Sequence, residues 1–169
     1  YNQELSDIWG YVDVEGNEYA LVGVYDGFSV VDVTDPANPV EVYFLSGPQS
    51  IWRDLKTYGD YAYISNESAQ GILIVDLSPL PDSPITNTSN FTGSTYGFQS
   101  AHNLYIDETG KLYIFGADNG SGGAIICDVS ENPMDPVELG RFNDYYLHDG
   151  MARGDTLWGA AIYEGELLA

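Results

Sequence analysis

Three short polar pairs recur at nearly constant spacing: Arg53-Asp54, His102-Asn103 and His148-Asp149, separated by 49 and then 46 residues. Both histidines of the chain therefore fall at the same place in a repeated unit. Imidazoles and carboxylates supplied by successive units suit a divalent metal, with His102, His148 and Asp149 as the ligands. The same groups suit acid/base work, with His102 and His148 as proton carriers. Arg53 adds a planar cation that fits a carboxylate or phosphate. Trp9 and Trp52 add flat apolar surface of the kind on which sugars stack. A structural reading stands beside these. Polar pairs on inner strands also hydrogen-bond backbone between neighbouring sheets, and tryptophans wedge between them.

Positioning these pairs falls to a repeat of about fifty residues. Its most regular copies are FSVVDVTDPANPVEV, ILIVDLSPLPDSPIT and AIICDVSENPMDPVEL, centred on Asp32, Asp76 and Asp128. Helical periodicity is absent, and short Val/Ile/Tyr/Leu runs alternate with Gly, Asp and Asn turns. Four runs occur per unit, for example 8–13, 19–24, 28–33 and 39–45 in the first. The hairpin dipeptides Gly16-Asn17 and Asp26-Gly27 favour positive φ. The third run of each unit is almost continuously apolar, as expected of a strand buried on both faces.

Four antiparallel strands per unit predict an all-β fold of β-propeller blades, at about 6–46, 50–92, 100–143 and 147–169. The first strand of each blade then lines a central channel. Proline opens the outer strands at Asn38-Pro39 and Asp135-Pro136, where no ladder hydrogen bond is lost. About three and a half blades cannot close a ring. The remaining blades are expected from the same longer chain, and the start at Tyr1 without methionine fits removal or omission of an N-terminal segment.

Charge narrows the partners. Twenty-six acidic residues against five basic ones give −21, which disfavours nucleic acid and anionic membrane surfaces. No apolar run approaches the ~20 residues of a membrane-spanning helix. Cys127 lies in AIICDVS, so it reads as a core thiol. The segment Asp118–Gly123 lacks the acidic spacing of a calcium loop and reads as a hairpin connection. The acidic turns at 13–18 and 107–110 read as hairpin tips. Sequons at Asn66, Asn87, Asn90 and Asn119 are read as composition. G-x-S-x-G, CxxC pairs, H-E-x-x-H and phosphate-binding glycine loops are absent.

The strands FSVVDVT, ILIVDLS and AIICDVS resemble the LVIVD repeat. Together with SDIWGYVD, SIWRDLKTYGDYAYI, SAHNLYID and YYLHDGMARGDTLW, they make the chain similar to the choice-of-anchor B family. Those are secreted bacterial proteins, common in marine Bacteroidetes, that join a repeat domain to alternative cell-surface anchors. The resemblance implies a secreted or surface-attached propeller and supplies no catalytic activity. The leading expectation is a binding or scaffold module for a surface protein or glycan, with Trp9, Trp52, Arg53, Asp54, His102, Asn103, His148 and Asp149 facing the ligand. The alternative is a hydrolase or lyase acting on an acidic or sugar substrate, metal-dependent if the histidines are ligands.

Overall fold

The computed structural model describes residues 2–169, and these contain strands and turns but no helix. The first sheet is β1 (Leu5–Val12), β2 (Glu18–Val24), β3 (Gly27–Asp32) and β4 (Val40–Ser46). The second is β5 (Leu55–Tyr58), β6 (Tyr61–Ile64), β7 (Ile72–Asp76) and β8 (Thr88–Phe91). The third is β9 (Asn103–Ile106), β10 (Lys111–Phe115), β11 (Ala124–Asp128) and β12 (Val137–Phe142). The fourth has three strands, β13 (Gly150–Arg153), β14 (Thr156–Ala161) and β15 (Glu166–Leu168). In every sheet the strands pair antiparallel in chain order, which is the meander of a propeller blade. The inner strands β1, β5, β9 and β13 lie side by side in succession. The ring they begin is not closed.

Packing between blades supplies the core. Tyr11, Leu21, Phe28 and Val30 of blade 1 meet Leu55, Ile64 and Val75 of blade 2. Tyr63, Ile72 and Ile74 of blade 2 meet Leu104, Ile114 and Ile125 of blade 3, and a third cluster joins blades 3 and 4. Alternate residues of one strand thus face opposite neighbours, which is why the third strands lack a polar face. Cys127 lies fully inside the second cluster, and burial pushes its thiol up to about 12.

The repeated aspartates hold turns. Asp76 Oδ1 accepts from the amide and hydroxyl of Ser78, Asp128 Oδ1 does the same with Ser130, and Asp32 Oδ1 accepts from the amide of Thr34. The Asp-x-Ser/Thr spacing is therefore the turn that ends the third strand. Asp13 and Asp107 likewise gather backbone donors in the acidic hairpins, and each accepts from a tyrosine hydroxyl, Tyr19 and Tyr113.

Gly27 departs from the expected reason for its glycine. A Cβ there would sit 2.1 Å from the Leu45 carbonyl oxygen, so close approach of β4, not positive φ, demands it. Gly71 repeats the contact against the Phe91 carbonyl.

Candidate functional site

The equivalence of the polar pairs extends one blade further back than expected. Ser6-Asp7 lies at the start of β1, at its irregularity between Leu5 and Ile8, in the register at which Arg53-Asp54, His102-Asn103 and His148-Asp149 precede or open β5, β9 and β13. Most of these residues fall in the lead-in to the inner strand, since β5 starts only at Leu55, β9 at Asn103 and β13 at Gly150. The lead-in bends across to the preceding blade, as in the isolated bridge of Ala101 with Asn66, before the regular ladder begins.

At the axis these lead-ins enclose a cavity of about 460 Å³, lined from all four blades. Leu5, Ser6 and Asp7 come from the first, Ile51 to Asp54 from the second, His102 and Asn103 from the third, and Asp149 from the fourth. A larger concavity of about 650 Å³ lies elsewhere, on the open face of blade 4. Of the eight expected site residues, six line the axial cavity. Trp9 and His148 are not among its walls.

Two aspartates stitch blades together. Asp7 Oδ2 accepts from the Leu55 amide at 3.3 Å, and Asp54 Oδ2 accepts from the Leu104 amide at 3.1 Å, one blade on. The Ser6 hydroxyl, donating to the Arg53 carbonyl and accepting from its amide, reinforces the first junction. The Ser65 hydroxyl donates to the His102 carbonyl and accepts from the Asp54 amide, which reinforces the second. Burial, with a hydrogen bond to Asp7, pushes Asp54 up to about 6 against the pull of Lys56 at 2.8 Å. Asp149 Oδ1 accepts from the adjacent Gly150 amide.

Arg53 is 5% exposed and its guanidinium is engaged by backbone. Nε donates to the Val24 carbonyl at 2.9 Å, and Nη2 donates to the carbonyls of Tyr25 and Pro48. Burial lowers its pKa, with the charge of Asp26 acting the other way. Gly23 leaves room for it, since a Cβ there would come within 3.0 Å of the Arg53 Cβ. The cation sits where carbonyls of the 2–3 and 4–1 connections converge.

The histidines come together. Their ring centroids are 4.0 Å apart with the planes tilted by 51°, and Trp52 lies 6.4 Å from His102. His102 Nδ1 is 2.5 Å from Glu67 Oε1, a contact across blades. Among the described residues no three His, Cys, Asp or Glu side chains gather closely enough to hold a metal ion. Trp52 is 54% exposed at the cavity mouth. Trp9 instead lies within β1, donates through its indole to Thr57 of blade 2, and carries the Lys56 ammonium 4.6 Å over its ring.

Asp7 and Glu67 went unnoticed in the sequence. The signal for Asp7 was present, because Ser6-Asp7 stands 47 residues before Arg53-Asp54. Glu67 carried none: it belongs to a loop of blade 2, and only the fold brings it to a histidine of blade 3.

Residues 10–44 and 52–89 match the LVIVD repeat, a repeat typical of β-propeller proteins. The two matches fall on blades 1 and 2. No curated protein matches the chain. Fold and repeat together define a β-propeller-like repeat module, and the chain carries LVIVD repeats.

Proposed function

We propose that the chain belongs to a secreted or cell-surface propeller that acts as a binding module and takes a glycan at the mouth of its axial cavity. The observation that carries this reading is the cavity itself: one half-exposed indole, Trp52, beside carboxylates and an amide from all four blades. Sugars are held by such a pairing of a flat apolar face with carboxylate and amide acceptors. A neutral glycan fits better than an acidic one, because the guanidinium of Arg53 is taken up by backbone carbonyls and Asp7, Asp54 and Asp149 line the walls. The export expected from the choice-of-anchor B resemblance supports placing such a module outside the cell.

One observation favours the hydrolase or lyase alternative. Glu67 holds His102 through Nδ1, the arrangement that orients an imidazole as a general base. Its partner in that reading is His148.

Titration with a panel of neutral oligosaccharides, read by tryptophan fluorescence and calorimetry, tests the binding module. Trp52→Ala is expected to weaken binding at least about tenfold, from the loss of one stacking surface. Wild-type affinity in Trp52→Ala would sink the reading. Release of shortened sugars that His102→Ala abolishes would support the enzyme in its place.

A further inference from the structure

Between the outer strands of blades 1 and 2 lies a narrow slot of about 160 Å³. Blade 1 contributes Leu45 and Ser46 from the end of β4, and blade 2 contributes Leu73 of β7 with Thr88 and Asn90 of β8. Asn90 lies opposite Leu73, which packs into the cluster joining the two blades, and Thr88 is two residues from Asn90 along β8. All three therefore point from blade 2 toward blade 1. Gln70, from the loop joining β6 to β7, completes the wall. No carboxylate lines the slot, in a chain of charge −21. The side chains of Ser46, Gln70, Thr88 and Asn90 have no hydrogen-bond partner among the described residues, so two hydroxyls and two amides stand ready for a ligand.

Gln70 has a φ of 71°, the one non-glycine residue in the left-handed region among those described. A glycine would adopt that conformation without strain. The loop around it is already held, because Asn66 Oδ1 accepts from the amides of Ser68 and Ala69 while Nδ2 donates to the carbonyls of Ala69 and Gly71. What the strain secures is an amide side chain at the slot.

Arg53 supplies the charge. Nε and Nη2 serve the carbonyls of Val24, Tyr25 and Pro48, and the two N–H groups of Nη1 have no partner among the described residues. No buried side-chain nitrogen is left unbonded, so Nη1 meets open space. The main chain of Arg53 borders the axial cavity beside Ser6, whereas Pro48, which holds the guanidinium, borders the slot and not that cavity. The free edge of the cation therefore faces the slot, and the carbonyls behind it hold that edge preorganised. Asp26, whose charge acts on Arg53, bonds Gln49 and makes no ion pair with the guanidinium.

We propose that this slot binds one uronic acid unit, free or at the end of a chain. The carboxylate takes Arg53 Nη1, the hydroxyls take Ser46, Gln70, Thr88 and Asn90, and the C–H face lies on Leu45 and Leu73. The slot is smaller than the sites of drug-sized ligands and so suits a single small molecule. An anion goes to the slot and a neutral sugar to the axial mouth, because Asp7, Asp54 and Asp149 wall the mouth and none of them walls the slot. Repulsion from the acidic surface is screened beyond about 8 Å at physiological salt. The two sites are independent, so failure at one leaves the other standing.

Calorimetric titration with glucuronate, glucose and a glucuronic acid disaccharide at about 0.15 M salt tests this. Glucuronate is expected to bind at least about tenfold more tightly than glucose, from its charge-assisted hydrogen bond. Gln70→Gly keeps the backbone conformation without strain, and Asn90→Ala changes an exposed outer-strand residue, so both are expected to fold. Each is expected to weaken glucuronate about fivefold, the loss of one hydrogen bond. Equal binding of the disaccharide assigns the chain end and its exclusion assigns the free acid; either result upholds the site. No saturable binding of glucuronate, equal affinity for glucose, or an affinity that neither substitution lowers overturns the proposal.

Discussion

Arg53→Met separates a structural cation from a ligand-facing one. Methionine keeps an unbranched stem beside Gly23 and removes the guanidinium that serves the carbonyls of Val24, Tyr25 and Pro48. Hydrogen bonds to a charged group contribute roughly 1.5–3 kcal/mol each, and the orphaned carbonyls incur a further desolvation penalty where water cannot reach them. Against this stands the relief of no longer burying a cation. The balance is a loss of about 3–5 kcal/mol, the usual result of removing one partner from a buried charged network. For a domain of this size that lowers Tm by roughly 10 °C. Arg53→Lys is expected to recover only part of it, because an ammonium cannot reproduce the planar fork. Urea denaturation followed by tryptophan fluorescence measures the difference. A variant within about 1 kcal/mol of wild type that has lost ligand binding would refute the reasoning and return Arg53 to the cavity.

Further expectations concern the blade junctions and loops. Asp54 holds its proton up to about pH 6 when folded and loses it near 4 when unfolded, so its contribution to stability falls as pH rises through that window. Asp54→Asn keeps an acceptor for the Leu104 amide, so its stability relative to wild type is expected to rise by up to about 2–3 kcal/mol between pH 4 and 7; a pH-independent difference contradicts this. Glu138 accepts from the amides of Ser94, Thr95 and Tyr96, and those bonds outweigh burial in lowering its pKa. Glu138→Gln is expected to raise amide exchange across residues 93–97 by about tenfold, a loss of roughly 1.4 kcal/mol locally, and unchanged exchange would show that the loop is held otherwise. Gly71→Ala combines a left-handed φ of 66° with a Cβ 2.1 Å from the Phe91 carbonyl, so a loss of about 2–4 kcal/mol is expected by thermal melting.

The blades were legible because their chemistry is local. A third strand buried on both faces must be apolar throughout, and the Asp-x-Ser/Thr turn that follows it is written within three residues. The pairing of His102 with His148 was legible from register alone, since equivalent positions on adjacent inner strands become neighbours. What engages those side chains was not. Arg53 finds its partners among backbone carbonyls, which every residue carries and no sequence pattern marks. Trp9 and Trp52 look alike as residues near an inner strand, yet Trp9 stands two residues after Asp7 and Trp52 two residues before the equivalent Asp54. One stacks under Lys56 and the other stands at the cavity mouth. Gly27 was read as a hairpin glycine because Asp-Gly is a turn dipeptide, whereas the constraint comes from the carbonyl of Leu45, eighteen residues away.

The carboxylate-to-amide stitching at the axis sets how the molecule fails. Asp7 holds the Leu55 amide and Asp54 holds the Leu104 amide, so the backbone of blade 2 is both held by its predecessor and tied to its successor. Free energy is thereby shared between neighbours and not stored within single sheets, the behaviour of a one-dimensional lattice. In such a lattice a defect does not stay in its own sheet: one placed in blade 2 weakens its junctions to blade 1 and to blade 3 at once.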